Sequence, residues 1–146
     1  MRSARLFDNP EGVGFGLVVV DDSRSFADIA RVLLERQGRR VLGVAATSAE
    51  AVELVAELRP DVVLVDLMLG DESGLDLARV LARDGSSAAP VVILISAYPP
   101  ADIAELIAAT PVAGFLPKSE LSSDAISQIV VRTGRLTADG HGLTGF

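Results

Sequence analysis

The sequence predicts an α/β fold, a doubly wound parallel sheet built from five βα units. Two observations carry this expectation. Short runs of β-branched and aliphatic residues alternate five times with stretches of helical periodicity. Two of those runs, Val62 to Val65 and Val91 to Ile95, are unbroken apolar segments, as strands covered on both faces require.

Leu17 to Val20 reads as the first strand. Phe26, Ile29, Ala30 and Leu33 follow at i, i+3, i+4 and i+7, one face of a helix that Gly38 is suited to stop. Val41 to Ala45 is the second strand. Thr47 and Glu50 have the spacing of a capping box, and Ala51, Leu54, Val55 and Leu58 form the stripe of the second helix. Arg59-Pro60 ends that helix. Val62 to Val65 is the third strand, followed by a loop from Leu67 to Ser73 and a third helix face at Leu77, Val80 and Leu81. Pro90 introduces the fourth strand, Val91 to Ile95. Ile103, Leu106 and Ile107 mark the fourth helix, and Val112 to Leu116 the fifth strand. Ile126, Ile129 and Val130 mark the fifth helix, which is expected to stop near Gly134. Right-handed crossovers leave few topologies for such a series, and the flavodoxin-like strand order 2-1-3-4-5 is the natural one. The expected organisation is a flexible N-terminal extension over 1–15, a single domain over 16–133, and a C-terminal tail or start of a linker over 134–146.

Composition narrows the function classes. The chain has 146 residues, 49% of them hydrophobic and 23% charged, which is globular and not disordered. A net charge of −7 disfavours direct nucleic-acid binding by this region. There is no cysteine, so disulfides and thiolate metal sites are excluded. Asp8, Pro10 and Glu11 interrupt any signal-peptide pattern, and no apolar run is long enough to span a bilayer. The expectation is a cytoplasmic protein without membrane attachment.

In an open α/β sheet, ligands bind outside the carboxyl ends of the strands. Strand one ends in Asp21-Asp22, strand three in Asp66, strand four in Ser96, and strand five near Lys118. The predicted order sets these four strands side by side, so their ends share one edge. Three carboxylates in proximity repel one another and raise at least one pKa. A hard cation such as Mg²⁺ relieves that repulsion, typically through one or two carboxylates plus water and phosphate oxygens. A carboxylate can also be the nucleophile that forms an acyl phosphate. Lys118 would neutralise phosphoryl charge, and Ser96 would donate a hydrogen bond to a phosphoryl oxygen. Taken singly, each signal is weak: an acidic pair at a strand end is as often a helix cap, an aspartate before a loop can simply organise a turn, and a lone Ser or Lys there is usually solvated. Their joint placement is what points to phosphoryl chemistry.

The segments Val18-Val19-Val20-Asp21-Asp22-Ser23, Pro60-Asp61-Val62-Val63-Leu64-Val65-Asp66, Val91-Val92-Ile93-Leu94-Ile95-Ser96-Ala97 and Gly114-Phe115-Leu116-Pro117-Lys118 resemble the receiver domain of two-component response regulators. The intervals agree too: 44 positions from Asp22 to Asp66, 30 to Ser96 and 22 more to Lys118, with Gly74 where the family keeps a glycine. The resemblance implies that Asp66 accepts a phosphoryl group from a sensor histidine kinase. It implies that Asp22, Asp66 and the main-chain carbonyl of Met68 ligate Mg²⁺, with Asp21 acting largely through water. Ser96 and Phe115 match the switch pair that would reshape the face of helix four, strand five and helix five. That face is the expected homodimer surface.

Pro117 before Lys118 and Ser119 after it depart from the frequent Lys-Pro pattern. They resemble receivers that carry a LuxR-type helix-turn-helix domain, and the two expectations left open are a DNA-binding output domain outside this chain or a single-domain regulator. Met68 and Tyr98 stand where the family tunes hydrolysis of the aspartyl phosphate. Both are bulky and neither is an acid or amide, so slow phosphate loss is expected. The domain is expected to be a phosphoacceptor and not an enzyme acting on outside substrates. The alternative is a pseudo-receiver that signals without phosphorylation, against which the retained Asp21, Asp22, Asp66, Ser96 and Lys118 argue. An aspartyl-phosphate phosphatase of the haloacid-dehalogenase type normally needs a second aspartate two positions after the nucleophile, where this chain has Met68.

Overall fold

The computed structural model describes residues 15–82 and 89–133. The expected tail over 134–146, the helix stop at Gly134 and all but the last residue of the expected N-terminal extension lie outside the described residues. The elements run β1 (Gly16–Val20), α1 (Arg24–Arg36), β2 (Arg40–Ala45), α2 (Ser48–Leu58), β3 (Val62–Asp66), α3 (Gly74–Ala82), β4 (Val91–Ser96), α4 (Ile103–Ala108), β5 (Gly114–Pro117) and α5 (Ser123–Arg132). The sheet has five strands in the order β2-β1-β3-β4-β5, and every neighbouring pair is parallel. This is the predicted flavodoxin-like order.

The three central strands are buried along their whole length because both faces are covered. On one face, Leu17, Val19, Leu64, Ile93 and Ile95 meet Ala30 and Leu34 of α1 and Ile126, Ile129 and Val130 of α5. On the other, Val18, Val20, Val63, Val65, Val92 and Leu94 meet Ala51 of α2 and Leu77, Ala78 and Leu81 of α3, with Ile107 of α4 at the margin. The alternation of a strand's side chains between faces produces this division.

Local signals act where the sequence places them. Helix α1 ends in a Schellman arrangement: Gly38 takes φ +89°, its N–H bonds Glu35 O at 3.1 Å, and Arg39 N–H bonds Leu34 O at 2.9 Å. Thr47 caps α2 by accepting from Glu50 N–H at 3.2 Å. Glu50 reaches back, but to Ala46 N–H at 2.8 Å, one residue before the cap. Helix α2 stops at Arg59, in the left-handed region at φ +50°, before Pro60.

Five expectations need correction. The buried stripe of α1 is Ala27, Ala30 and Leu34, flanked by the partly buried Phe26 and Leu33, and Ile29 is 64% exposed. In α3 the stripe includes Ala78, whereas Val80 is exposed. In both helices two overlapping stripes fit the same 3.6 period, and the strand face they meet selects one. The expected loop after β3 contains a small antiparallel hairpin, Met68–Leu69 against Glu72–Ser73, turning at Gly70 with φ +61°. Strand β5 begins at Gly114, two residues later than expected, and Ala113 N–H already bonds Val92 O at 2.8 Å. Phe15, the last residue assigned to the extension, is fully buried against the α1–α5 face, with Arg39 Cζ 4.4 Å from its ring centroid.

Candidate functional site

Strand pairing sets the site. Val20 lies opposite Val65 and Asp66 opposite Ile95, so β1, β3 and β4 end level with one another. Ser96 lies opposite Pro117, which delivers Lys118 at the end of β5. Each strand therefore carries its polar residue just past its last apolar one.

Asp21 and Asp66 are buried, at 1% and 6% exposure, and Asp22 is exposed. One carboxylate oxygen from each of the three lies within 4.8 Å of the others. Lys118 Nζ sits between the two buried acids, 2.6 Å from Asp21 Oδ2 and 3.0 Å from Asp66 Oδ2. The other oxygens are held by backbone: Asp21 Oδ1 accepts from Ser23 N–H at 2.8 Å, and Asp66 Oδ1 from Met68 N–H at 3.1 Å. Burial pushes the Asp21 carboxyl above its ordinary range. The hydrogen bonds from Lys118 and Ser23 oppose that rise without cancelling it, and the charge of Asp66 adds to it. Burial alone would lower the Lys118 pKa, but the hydrogen bonds and charges of Asp21 and Asp66 outweigh it, so the pKa is raised and the ammonium stays charged.

Three carboxylates against one ammonium leave the cluster net anionic. An all-oxygen donor set with one exposed member suits a hard divalent cation. These residues fit such an ion. A Cβ at Gly70 would meet Asp22 Oδ2 at 3.4 Å, an ordinary contact, so the glycine serves the positive φ of the turn beside the site.

Ser96 is buried, and its Oγ accepts from Tyr98 N–H at 3.1 Å. Phe115 is partly buried and packs against the α2–α3 face of the sheet. Met68 and Tyr98 stand at the rim, 69% and 91% exposed. The peptide bond between Lys118 and Ser119 is trans, as is every bond among the described residues.

Two residues near the site carry more than the sequence reading gave them. Gly74 approaches β3 so closely that a Cβ would lie 1.7 Å from the Asp66 carbonyl oxygen. Its position eight residues after Asp66 was visible, but the contact that demands a glycine was not. The helical period places Phe26 on the apolar face of α1, and its ring centroid also lies 4.3 Å from Lys118 Nζ. No local pattern signals that contact.

The family profile of the response regulator receiver domain matches residues 17–130. The chain belongs to that family. The DNA-binding response regulator MtrA of Mycolicibacterium paratuberculosis is 38% identical over 87 residues, which cover 60% of this chain and 37% of MtrA. A protein-glutamate methylesterase/protein-glutamine glutaminase of Myxococcus xanthus is 43% identical over 81 residues, covering 55% of this chain and 23% of that protein. The chain thus matches well under half the length of these curated relatives. Among solved structures, a LuxR-family two-component response regulator from Aurantimonas sp. superposes with a TM-score of 0.68 at 25% identity, over 86% of this chain and 91% of that one. Among the described residues, no helix is long and apolar enough to cross a membrane.

Proposed function

We propose that this chain is a phosphorylation-switched receiver in which Asp66 accepts a phosphoryl group from the phosphohistidine of a sensor histidine kinase. The observation that carries the reading is the buried ion-pair cluster, in which Lys118 bridges Asp21 and Asp66 at the ends of three strands. An Asp66 carboxylate oxygen attacks phosphorus, the P–N bond to the donor imidazole breaks, and the nitrogen leaves with the bonding pair. Lys118, 3.0 Å from Asp66 Oδ2, stands where it would pair with the phosphoryl oxygens.

Asp21, Asp22, Asp66 and the main-chain carbonyl of Met68 are the proposed holders of Mg²⁺, with Asp21 acting largely through water. When bound, the ion neutralises charge that builds on the phosphoryl oxygens. Phosphorylation would then draw the Ser96 hydroxyl from Tyr98 N–H toward the new anion. Phe115 would turn into the vacated space, and the α4-β5-α5 face would change shape. That face, whose helix α4 has only six residues and none buried, is the proposed surface for a homodimer or another partner. The domain acts on itself and not on outside substrates, in the cytoplasm. Its relatives carry different outputs, so a DNA-binding domain beyond this chain is a proposal drawn from MtrA alone.

The test is incubation with acetyl phosphate and Mg²⁺, read by intact mass and Phos-tag electrophoresis, beside Asp66→Asn. One phosphoryl group on the native chain and none on the variant is expected. A folded native chain that takes up no phosphoryl group would favour the pseudo-receiver and overturn the reading.

A further inference from the structure

Phe26 sits in the first turn of α1, where its position is tied to the site through the backbone. Asp21 Oδ1 accepts from Ser23 N–H at 2.8 Å, and Ser23 Oγ in turn accepts from Phe26 N–H at 3.3 Å as the cap of α1. The segment that turns Asp21 into the site therefore also orients Phe26. The ring is partly buried against the α1–α5 face of the sheet. Its centroid is 4.3 Å from Lys118 Nζ, well inside the roughly 6 Å over which a ring face attracts a cation. The Lys118 side chain is only 14% exposed, so its ammonium meets the ring and two carboxylates more than it meets water.

Two of those three contacts are consumed by the proposed reaction. Asp66 directly, and Asp21 largely through water, would give carboxylate oxygens to a divalent cation held at the acidic cluster, and would share them less with Lys118. The incoming phosphoryl group occupies an Asp66 oxygen. A benzene ring neither ligates a hard cation nor accepts phosphorus, so its attraction for the ammonium persists throughout.

We propose that Phe26 is a positioning residue for phosphoryl transfer, its ring face holding the Lys118 ammonium at the phosphoacceptor while the carboxylate oxygens around it change partners. This rests on the receiver reading above. The competing account is that Phe26 only fills space beside α1, and a leucine would do that nearly as well.

The experiment uses the full chain with Phe26→Leu, Phe26→Tyr and a series carrying progressively fluorinated phenylalanine at position 26, which keeps the ring's shape while draining charge from its face. Two readouts are taken. The first is the maximum rate and half-saturating concentration for phosphorylation by acetyl phosphate with Mg²⁺. The second, without metal or phosphodonor, is the NMR shift of the Lys118 side-chain protons, which a ring face at this distance moves upfield. For Phe26→Leu the maximum rate is expected to fall about tenfold, corresponding to about 1.4 kcal/mol, with half-saturation little changed and the upfield shift lost. Phe26→Tyr should restore both, and the fluorinated series should slow the reaction stepwise. Native-like rates in a folded Phe26→Leu protein would overturn the proposal, as would a flat fluorinated series; the latter decides the matter if the leucine variant does not fold. If the native chain itself takes up no phosphoryl group, the receiver reading fails and takes this one with it. That outcome is distinguishable because it appears before any variant is made.

Discussion

Replacing Gly74 with alanine sets local and tertiary physics against each other. Gly74 opens α3, and on helix propensity alone an alanine there would stabilise the protein by up to about 1 kcal/mol. The tertiary structure predicts the opposite sign. The new Cβ would lie 1.7 Å from the Asp66 carbonyl oxygen, 2.7 Å from its carbon and 3.0 Å from the carbonyl carbon of Leu67. All three are backbone atoms, so no side chain can swing aside, and α3 must back away from β3. Such overpacking costs about 1–3 kcal/mol. The retreat also stretches the 2.9 Å bond from Gly74 N–H to Leu67 O, worth about 1 kcal/mol. Set against the propensity gain, the expected net loss is about 1–3 kcal/mol. Urea unfolding followed by far-UV circular dichroism should show the midpoint falling by about 1 M, given slopes of about 1–3 kcal/mol per molar for small proteins. Because the clash falls on the phosphoacceptor's own backbone, phosphorylation by acetyl phosphate should also slow at temperatures where the variant is fully folded. A midpoint equal to or above that of the native chain would refute the reasoning.

Three further outcomes follow from the site. Mg²⁺ should stabilise the chain, because it meets a net-anionic cluster that exists only when folded: at ten times its dissociation constant the gain is about 1.4 kcal/mol, or a rise in Tm of about 5 °C, and calorimetry showing no shift would count against metal binding there. Asp21→Asn should make the metal-free protein more stable at neutral pH. The raised pKa of Asp21 means its contribution is fully present below the usual aspartate range and is lost as pH climbs through its folded value, so at pH 7 the buried charge is a liability; a lower denaturation midpoint in the variant at pH 7 would contradict this. Loss of phosphate from phosphorylated protein should be slow, since the rim residues Met68 and Tyr98 offer neither acid nor amide to orient water, and a phosphate-release half-life of seconds would sink the expectation.

Much of the architecture was legible from neighbouring residues alone. Gly38, the Thr47–Glu50 pair and Pro60 act within a few positions of themselves, and the structure places the ends of α1 and α2 where they stand. The unbroken apolar runs announce strands buried on both faces, and polar residues following those runs must emerge at the strand ends. That is why Asp21, Asp22, Asp66, Ser96 and Lys118 could be grouped once the strand order followed from crossover handedness. Helix faces were less legible. Ile29 and Val80 fit the period of a buried stripe and yet face outward, because a period constrains which residues share a face but not which face meets the sheet.

By itself the sequence determined the fold class, the strand order and which chemical groups stand at the sheet's carboxyl edge, since each depends on periodicity and on order along the chain. Only the tertiary structure decided how those groups are held. The ammonium of Lys118 between two buried carboxylates and the ring of Phe26 beside it join residues far apart in the chain, and the approach of Gly74 to the Asp66 carbonyl closes a loop of eight positions against the strand end. Their distances are set by how the strands pair and how the helices pack across the sheet, a property of the whole domain that no local pattern encodes.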